Sequence, residues 1–134
     1  MTTVFVPYEQ ALALKELGFD EPCFGWFRST LIPSNFTEYF LETEFGMNVS
    51  PSDWVNNNFL DKACSAPLYQ QAFRWFREKY GLHYQIEYMD DYLQYGYVIT
   101  EISINTELEE KYNFTYEEAE LECLKKLIEI VKNK

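Results

Sequence analysis

The sequence has few of the residues on which metal-binding and redox sites depend. Its 134 residues include one histidine, His83, so the common two-histidine metal sites are excluded. The three cysteines, Cys23, Cys64 and Cys123, are odd in number and widely spaced, which argues against a disulfide framework and a structural zinc site. We therefore expect three unpaired thiols, with Cys123 buried, and no metal or cofactor.

Motifs for phosphate binding and nucleophilic catalysis are also missing. Only five glycines occur, and there is no Gly-rich phosphate loop, Walker motif or Gly-x-Ser-x-Gly. His83 lies in an alternating strand pattern without a nucleophile motif nearby, which favours a surface position. Glu120 falls on the apolar arc of the last predicted helix, where it reaches the rim, pairs with an arginine or acts as a buried acid. The sequence predicts no enzyme.

The chain also has no long hydrophobic run. No stretch approaches the ~20 apolar residues of a membrane-spanning helix. Residues 1–6 have neither the basic nor the apolar region of a secretion signal. Three Asn-x-Ser/Thr triplets, at Asn35, Asn48 and Asn113, are therefore not expected to be glycosylated. We expect a cytoplasmic protein that does not bind a membrane.

Basic residues are half as numerous as acidic ones. With 11 Lys and Arg against 22 Asp and Glu, the formal net charge is −11. Such a charge repels phosphate and anionic lipid and attracts basic surfaces, including those that hold nucleic acid. The charge could also be no more than a solvated surface. We expect a basic protein partner and no direct binding of free nucleic acid.

Aromatic residues are what the sequence has in excess, with 11 Tyr, 11 Phe and 3 Trp. Tyr and Trp, together with Arg, dominate the energetically important positions of protein interfaces. An acidic chain rich in aromatic residues is therefore suited to contact a basic protein surface.

Periodicity predicts three helices, over residues 8–17, 69–80 and 116–131. Gly18 and Gly81 are expected to end the first two. The second has one apolar stripe at positions i, i+3, i+4, i+7 and i+11, formed by Tyr69, Ala72, Phe73, Phe76 and Tyr80. The third has a wide apolar arc and begins with a predicted capping box, formed by Thr115 and Glu118.

Strand patterns lie between these helices. Alternating residues over 82–89 and 95–104 predict a hairpin joined by 90–94. Residues 23–32 predict another strand, and 36–41 are either its partner or a short helix.

The element order predicts the fold class. Residues 46–65, rich in Asn, Pro and Gly, predict a polar variable loop with a turn of helix near Ser52. The length predicts a single domain, 1–134. We expect an α+β fold, in which a small antiparallel sheet with a C-terminal β-hairpin packs against about three helices.

Three parts of the chain carry a resemblance to a known family. The segments are YEQAL with KELGFDEPC, APLYQQAFRWFREK, and YEEAE, at residues 8–12, 15–23, 66–79 and 116–120. They resemble a family of short acidic proteins of phages and prophages of the Bacteroidota, generally without assigned function. The resemblance covers about half the chain; Leu68 departs from the expected Thr or Ser cap, and residues 34–65 do not match. It implies a phage origin and no catalytic residues.

The resemblance implies a class of function. Short acidic phage proteins often act by occupying a host protein, as anti-CRISPR inhibitors do. We expect a non-enzymatic, protein-binding inhibitor of host bacterial defence, of the anti-CRISPR type, that docks on a basic nucleic-acid-binding effector. One alternative is a phage adaptor or assembly factor that binds a phage-encoded protein. Another is a small enzyme of unknown reaction.

Partner-binding residues are expected on accessible connections that offer aromatic area or negative charge. The hairpin loop, the variable loop and the densest acidic run supply them: Asp90, Asp91, Tyr92 and Tyr95; Trp54, Asn56 and Asn57; Glu107, Glu109 and Glu110. A secondary face carries Arg74, Trp75 and Arg77, where Trp75 is either an exposed anchor or packed beneath a loop.

Free duplex DNA or RNA should not bind this protein near physiological salt, because the net charge of −11 opposes phosphate. A gel-shift titration at low-micromolar protein measures this. A salt-sensitive shift with the isolated protein would contradict the interpretation of its surface as one for basic proteins.

Overall fold

The fold consists of two compact units, Met1–Leu68 and Tyr69–Lys134. The computed structural model describes residues 4–31, 37–43, 55–56, 63–91 and 93–134. These residues form three α-helices and two three-stranded antiparallel sheets, which confirms the α+β class. The small sheet that the sequence predicts is thus two small sheets, one in each unit. The single domain expected from the chain length stays a prediction.

The N-terminal unit combines one helix with an antiparallel sheet. Helix α1 spans Tyr8–Glu16, and strands β1 (Gly25–Leu31), β2 (Thr37–Thr43) and β3 (Cys64–Ser65) pair in the order β2-β1-β3. Helix α1 ends before Gly18, whose φ of 99° favours glycine. For residues 36–41 the sequence allowed a strand or a short helix, and the structure shows that strand β2 lies there. Strand β3 lies inside the predicted variable loop, which is therefore not wholly irregular.

Aromatic and aliphatic side chains form the core of this unit. Tyr8 of α1 meets Phe27 of β1 edge to face, with ring centroids 5.5 Å apart. The N–H of Val6 donates to the Pro67 carbonyl at 2.9 Å. The largest fully buried side chains of the unit are Phe19, Leu14, Val6, Pro67, Cys23 and Cys64.

The C-terminal unit packs two helices against one face of its sheet. In chain order it contains α2 (Tyr69–Tyr80), β4 (Leu82–Met89), β5 (Gln94–Glu101), β6 (Thr106–Phe114) and α3 (Tyr116–Lys132). The strand order is β4-β5-β6. The predicted hairpin is confirmed, but its second strand ends at Glu101, because a 3-10 turn follows at Ile102–Ile104.

Helix α2 buries the stripe that its sequence predicts. Tyr69, Ala72, Phe73 and Phe76 are buried, and Tyr80 is half-buried. The Phe73 ring stacks on Tyr84 of β4, with centroids 3.9 Å apart. Gly81, at φ 65°, turns the chain from the helix directly into β4.

Helix α3 begins with the predicted capping box. The Thr115 N–H donates to Glu118 Oε1 at 2.8 Å, and the Glu118 N–H donates to Thr115 Oγ1 at 3.2 Å. The bonds to Thr115 lower the pKa of Glu118. The buried arc is as wide as predicted and consists of Ala119, Cys123, Leu124, Leu127, Ile128 and Val131.

Strand β6 is not expected from the sequence, because its acidic residues have low β propensity. Pairing with β5 overrides that preference, and the register shifts twice, between Tyr95 and Gly96 and between Ile99 and Thr100. A Cβ atom at Gly96 would overlap the Tyr112 ring and the carbonyl oxygen of Lys111. Glycine is therefore required where this ring crosses β5.

Leu124→Ala should lower the free energy of unfolding by about 2–5 kcal/mol, because it leaves a cavity at a fully buried position. Lys125→Ala is the matched control on the next residue, where an exposed ion pair with Glu122 contributes at most about 1 kcal/mol. Urea unfolding measures both. Equal losses would contradict the assignment of the α3 core face.

Candidate protein-binding surface

Three tyrosines meet at the hairpin end of the C-terminal sheet, and we call them the tyrosine cluster. Tyr88 of β4 and Tyr95 of β5 are cross-strand partners with ring centroids 4.9 Å apart. Tyr116, the first residue of α3, meets Tyr95 edge to face at 5.4 Å. Tyr88 and Tyr116 keep 46% and 45% of their surface exposed. Packed tyrosine rings offer a large contact area at a small cost in conformational entropy.

Local structure explains why these rings are accessible. Tyr88 is the last but one residue of β4, and Tyr116 opens α3, so both lie where the helical cover of the sheet ends. The capping box at Thr115 determines where α3 begins and therefore where Tyr116 stands. The cluster thus combines a rigid support with an exposed surface.

Acidic side chains border the tyrosine cluster on two elements. Asp90 and Asp91 are exposed in the hairpin turn, and Glu117 and Glu120 follow Tyr116 in α3. Burial raises the pKa of Tyr116, and the charge of Glu120 raises it further. The field around the rings is therefore negative, which favours an approaching Lys or Arg side chain, as does the face of each ring.

The residues predicted for the hairpin site differ in location and exposure. Asp90 and Asp91 are exposed in the turn, whose Leu93 is left-handed at φ 52° and 78% exposed. Tyr92 lies outside the described residues. Tyr95 is not a loop residue: it lies in β5 and is half-buried, because its ring packs between the other two tyrosines.

The predicted acidic loop is strand β6, and its acids divide between the two faces of the sheet. Glu109 pairs with Lys126 of α3 at 3.2 Å, so its carboxylate is already occupied within the unit. Glu107 and Glu110 are exposed on the opposite face. A hydrogen bond with Glu110 raises the pKa of Glu107, with the charges of Glu110 and Glu87 adding to the effect.

A tyrosine lies among the acids of that opposite face. Tyr112 donates its hydroxyl to Glu87 Oε2 at 2.8 Å, and this bond raises the pKa of Tyr112. We call Glu87, Glu107, Glu110 and Tyr112 the acidic face. No helix of the C-terminal unit packs on it within the described residues, since α2 and α3 lie against the other face.

The secondary candidate face does not offer an exposed aromatic anchor. Arg74 and Arg77 are exposed, but Trp75 is buried, with 8% of its surface accessible. Its ring meets Phe76 edge to face at 5.1 Å, and Lys79 Nζ lies 5.1 Å from its centre. Trp75 is therefore packed, with ring contacts inside its own helix, and is not an exposed anchor.

One of the predicted binding residues of the variable loop is buried. Asn56 is buried and structural: its side chain donates to the Phe19 carbonyl at 2.6 Å and accepts from the Ser65 N–H at 2.8 Å. Asparagine was interpreted as a loop residue because of its turn preference, which does not distinguish a buried amide bridge. Trp54 and Asn57, and the predicted turn near Ser52, lie outside the described residues.

His83 and the three cysteines are the described side chains best suited to metal or nucleophilic chemistry. His83 is exposed on β4, as predicted. The three cysteines are buried and form no disulfide; burial raises the pKa of Cys64 to about 12 and also that of Cys123. Within the described ranges, no three His, Cys, Asp or Glu side chains are grouped to hold a metal ion. Nor do the described helices include one with the length and hydrophobicity to span a membrane.

No protein-family model, curated protein or solved structure matches this chain. The functional interpretation therefore rests on the residues themselves.

Sequence reasoning missed Tyr88 and Tyr116 as surface residues. Alternation assigns Tyr88 to the buried side of β4, and Tyr116 precedes the apolar arc of α3. Their position in the sequence could have indicated exposure. Each residue lies at the end of its element, where a core-facing side chain has fewer neighbours.

Glu120→Gln should stabilise the protein at neutral pH. Burial raises the pKa of Glu120 in the folded state, so the parent is most stable with this group protonated and loses stability as the pH rises through that pKa. The advantage of the variant should therefore vanish below about pH 4. Glu122→Gln, which removes an ion pair with Lys125, should not stabilise. Thermal unfolding from pH 3.5 to 7.5 tests this, and a less stable Gln variant at pH 7 would contradict it.

Proposed function

We propose that this protein is a non-enzymatic inhibitor that binds a basic, nucleic-acid-binding effector of a bacterial defence system. The observation that carries the proposal is the tyrosine cluster, where two half-exposed rings stand beside the acidic turn at Asp90 and Asp91. Exposed aromatic rings surrounded by charge of one sign are typical of a protein interface.

Charge and aromatic area would act at different steps of binding. A net charge of −11 accelerates encounter with a positively charged groove and orients the approach. The tyrosine rings, once desolvated against the partner, slow dissociation. A groove occupied in this way cannot hold its guide or target strand, so binding alone suffices for inhibition and no covalent step is needed.

Phage origin and activity of the anti-CRISPR type belong to the same proposal. They are supported by the resemblance of residues 8–12, 15–23, 66–79 and 116–120 to phage proteins and by the acidic composition. A cytoplasmic location in the host cell follows from such a partner.

Affinity capture tests the proposal. Immobilised protein is incubated with nuclease-treated bacterial extract, bound proteins are eluted with salt, and they are identified by mass spectrometry. A Tyr88→Ser, Tyr116→Ser bait is the control, because both side chains are half-exposed and their loss should spare the fold. Recovery of a basic nuclease only on the parent bait, followed by inhibition of the purified nuclease, supports the proposal. A phage-encoded protein would instead support an adaptor function.

Asp90→Lys with Asp91→Lys should slow association with the captured partner by about 10-fold or more at low salt and flatten its salt dependence, while the melting temperature stays nearly unchanged. Glu9→Lys with Glu16→Lys changes the net charge equally at exposed positions of α1 and should have a smaller effect. Surface plasmon resonance at several salt concentrations measures both. Equal effects of the two double variants would show that the hairpin has no specific role.

A further inference from the structure

Strand β4 has a regular outer edge with which no described strand pairs. It lies at one side of the sheet, and its register with β5 is unbroken from Leu82 to Met89, without proline or a left-handed residue. The Gly81 carbonyl accepts a bond from the Ile102 N–H at 2.9 Å. In an antiparallel pair, successive residues point their backbone groups alternately toward the partner strand and away from it. Because Gly81 points toward β5, the odd-numbered residues of β4 do so too, and the N–H and C=O groups of residues 84, 86 and 88 point away from β5. No strand takes up these groups within the described residues of the C-terminal unit.

The opposite edge of the same sheet is protected. Strand β6 has two register shifts and four charged residues, Glu107, Glu109, Glu110 and Lys111. Bulges and charges are the features by which edge strands avoid pairing with other chains. Strand β4 has only one charged residue, Glu87, and no bulge. The sheet therefore has one closed edge and one edge open to strand addition.

The side chains of β4 specify the kind of strand that would fit. On the outer side, His83 and Gln85 are exposed and Glu87 belongs to the acidic face. On the helix side, Tyr84 and Ile86 are half-buried and Tyr88 is 46% exposed. Since side chains alternate between faces, an added strand would place every second residue along His83, Gln85 and the acid Glu87, and the others along Tyr84, Ile86 and Tyr88.

We propose that β4 binds, by strand addition, an extended segment of a basic protein in which Lys or Arg alternates with apolar residues. This inference rests on the proposed function and names how the partner is held. Charge selects the occupant: a second copy of this chain would bring a further −11 and a second acidic turn to the same edge. The open edge also begins at the tyrosine cluster, because Tyr88 belongs to both, so the added strand would extend one continuous interface.

Amide hydrogen exchange by NMR tests the proposal with defined peptides. The probe is a capped octapeptide of alternating Lys and Val, and its control has the same composition as four Lys followed by four Val. At saturation, the alternating peptide should slow exchange at the N–H groups of Tyr84, Ile86 and Tyr88 by about fivefold or more, equivalent to about 1 kcal/mol of protection. Amides of β6 should not change. Equal protection by the control peptide, or protection centred on β6, would overturn the inference.

A matched pair of variants separates edge pairing from general charge attraction. Gln85→Lys, exposed on β4, should weaken the alternating peptide about fivefold, whereas Gln94→Lys, on the same face of β5, should weaken it by less than twofold. Equal weakening would overturn strand addition. So would sedimentation as a dimer with the β4 amides already protected, since a second copy would then hold the edge.

The outcomes also distinguish this inference from the proposed function. Capture of a basic nuclease without peptide protection on β4 would leave the function standing and remove strand addition. Protection on β4 without such a partner in extract would support strand addition and remove the proposed function.

Discussion

The C-terminal unit depends on strand β5, which among the described strands of the unit is the one with a neighbouring strand on both sides. Its inner face supplies the buried side chains Tyr97 and Ile99. Because water does not reach buried backbone groups, their N–H and C=O groups must form hydrogen bonds within the protein. Burial also raises the pKa of Tyr97 to about 12. Strand β5 therefore requires a partner on each edge, and β6 supplies one despite an acidic sequence that favours no strand.

The position of Gly96 in β5 connects this requirement to the surface. The Tyr112 ring crosses the glycine, where any Cβ would collide with it, and the same tyrosine donates its hydroxyl to Glu87 of β4. One side chain thus joins all three strands on the face that no helix of the unit covers. On that face a hydrogen bond with Glu110 raises the pKa of Glu107, and the charges of Glu110 and Glu87 raise it further.

The parts of the fold that sequence reasoning predicted are those where one period dominates. The apolar stripe of α2 and the capping box of α3 can each be recognised from a short stretch of sequence, and both are confirmed. Strand β6 was missed because its partner, not its composition, makes it a strand. Trp75 and Asn56 were misjudged in the same way: helical phase cannot show that a second side of α2 is covered, and residue type cannot distinguish a turn asparagine from a buried bridge.

The sequence indicates the chemical character of the candidate surface but does not identify all of its residues. Charge and aromatic content indicate a protein-binding surface, and Asp90 and Asp91 are exposed as expected. The structure adds Tyr88 and Tyr116 to the candidate surface, because a ring at the end of an element is held firmly while part of it stays in water. Such residues contribute little to the core, so substitutions at Tyr88 or Tyr116 should alter binding without unfolding the protein. The buried stripe beneath them behaves in the opposite way, since loss of Phe73 removes the support on which Tyr84 and β4 rest.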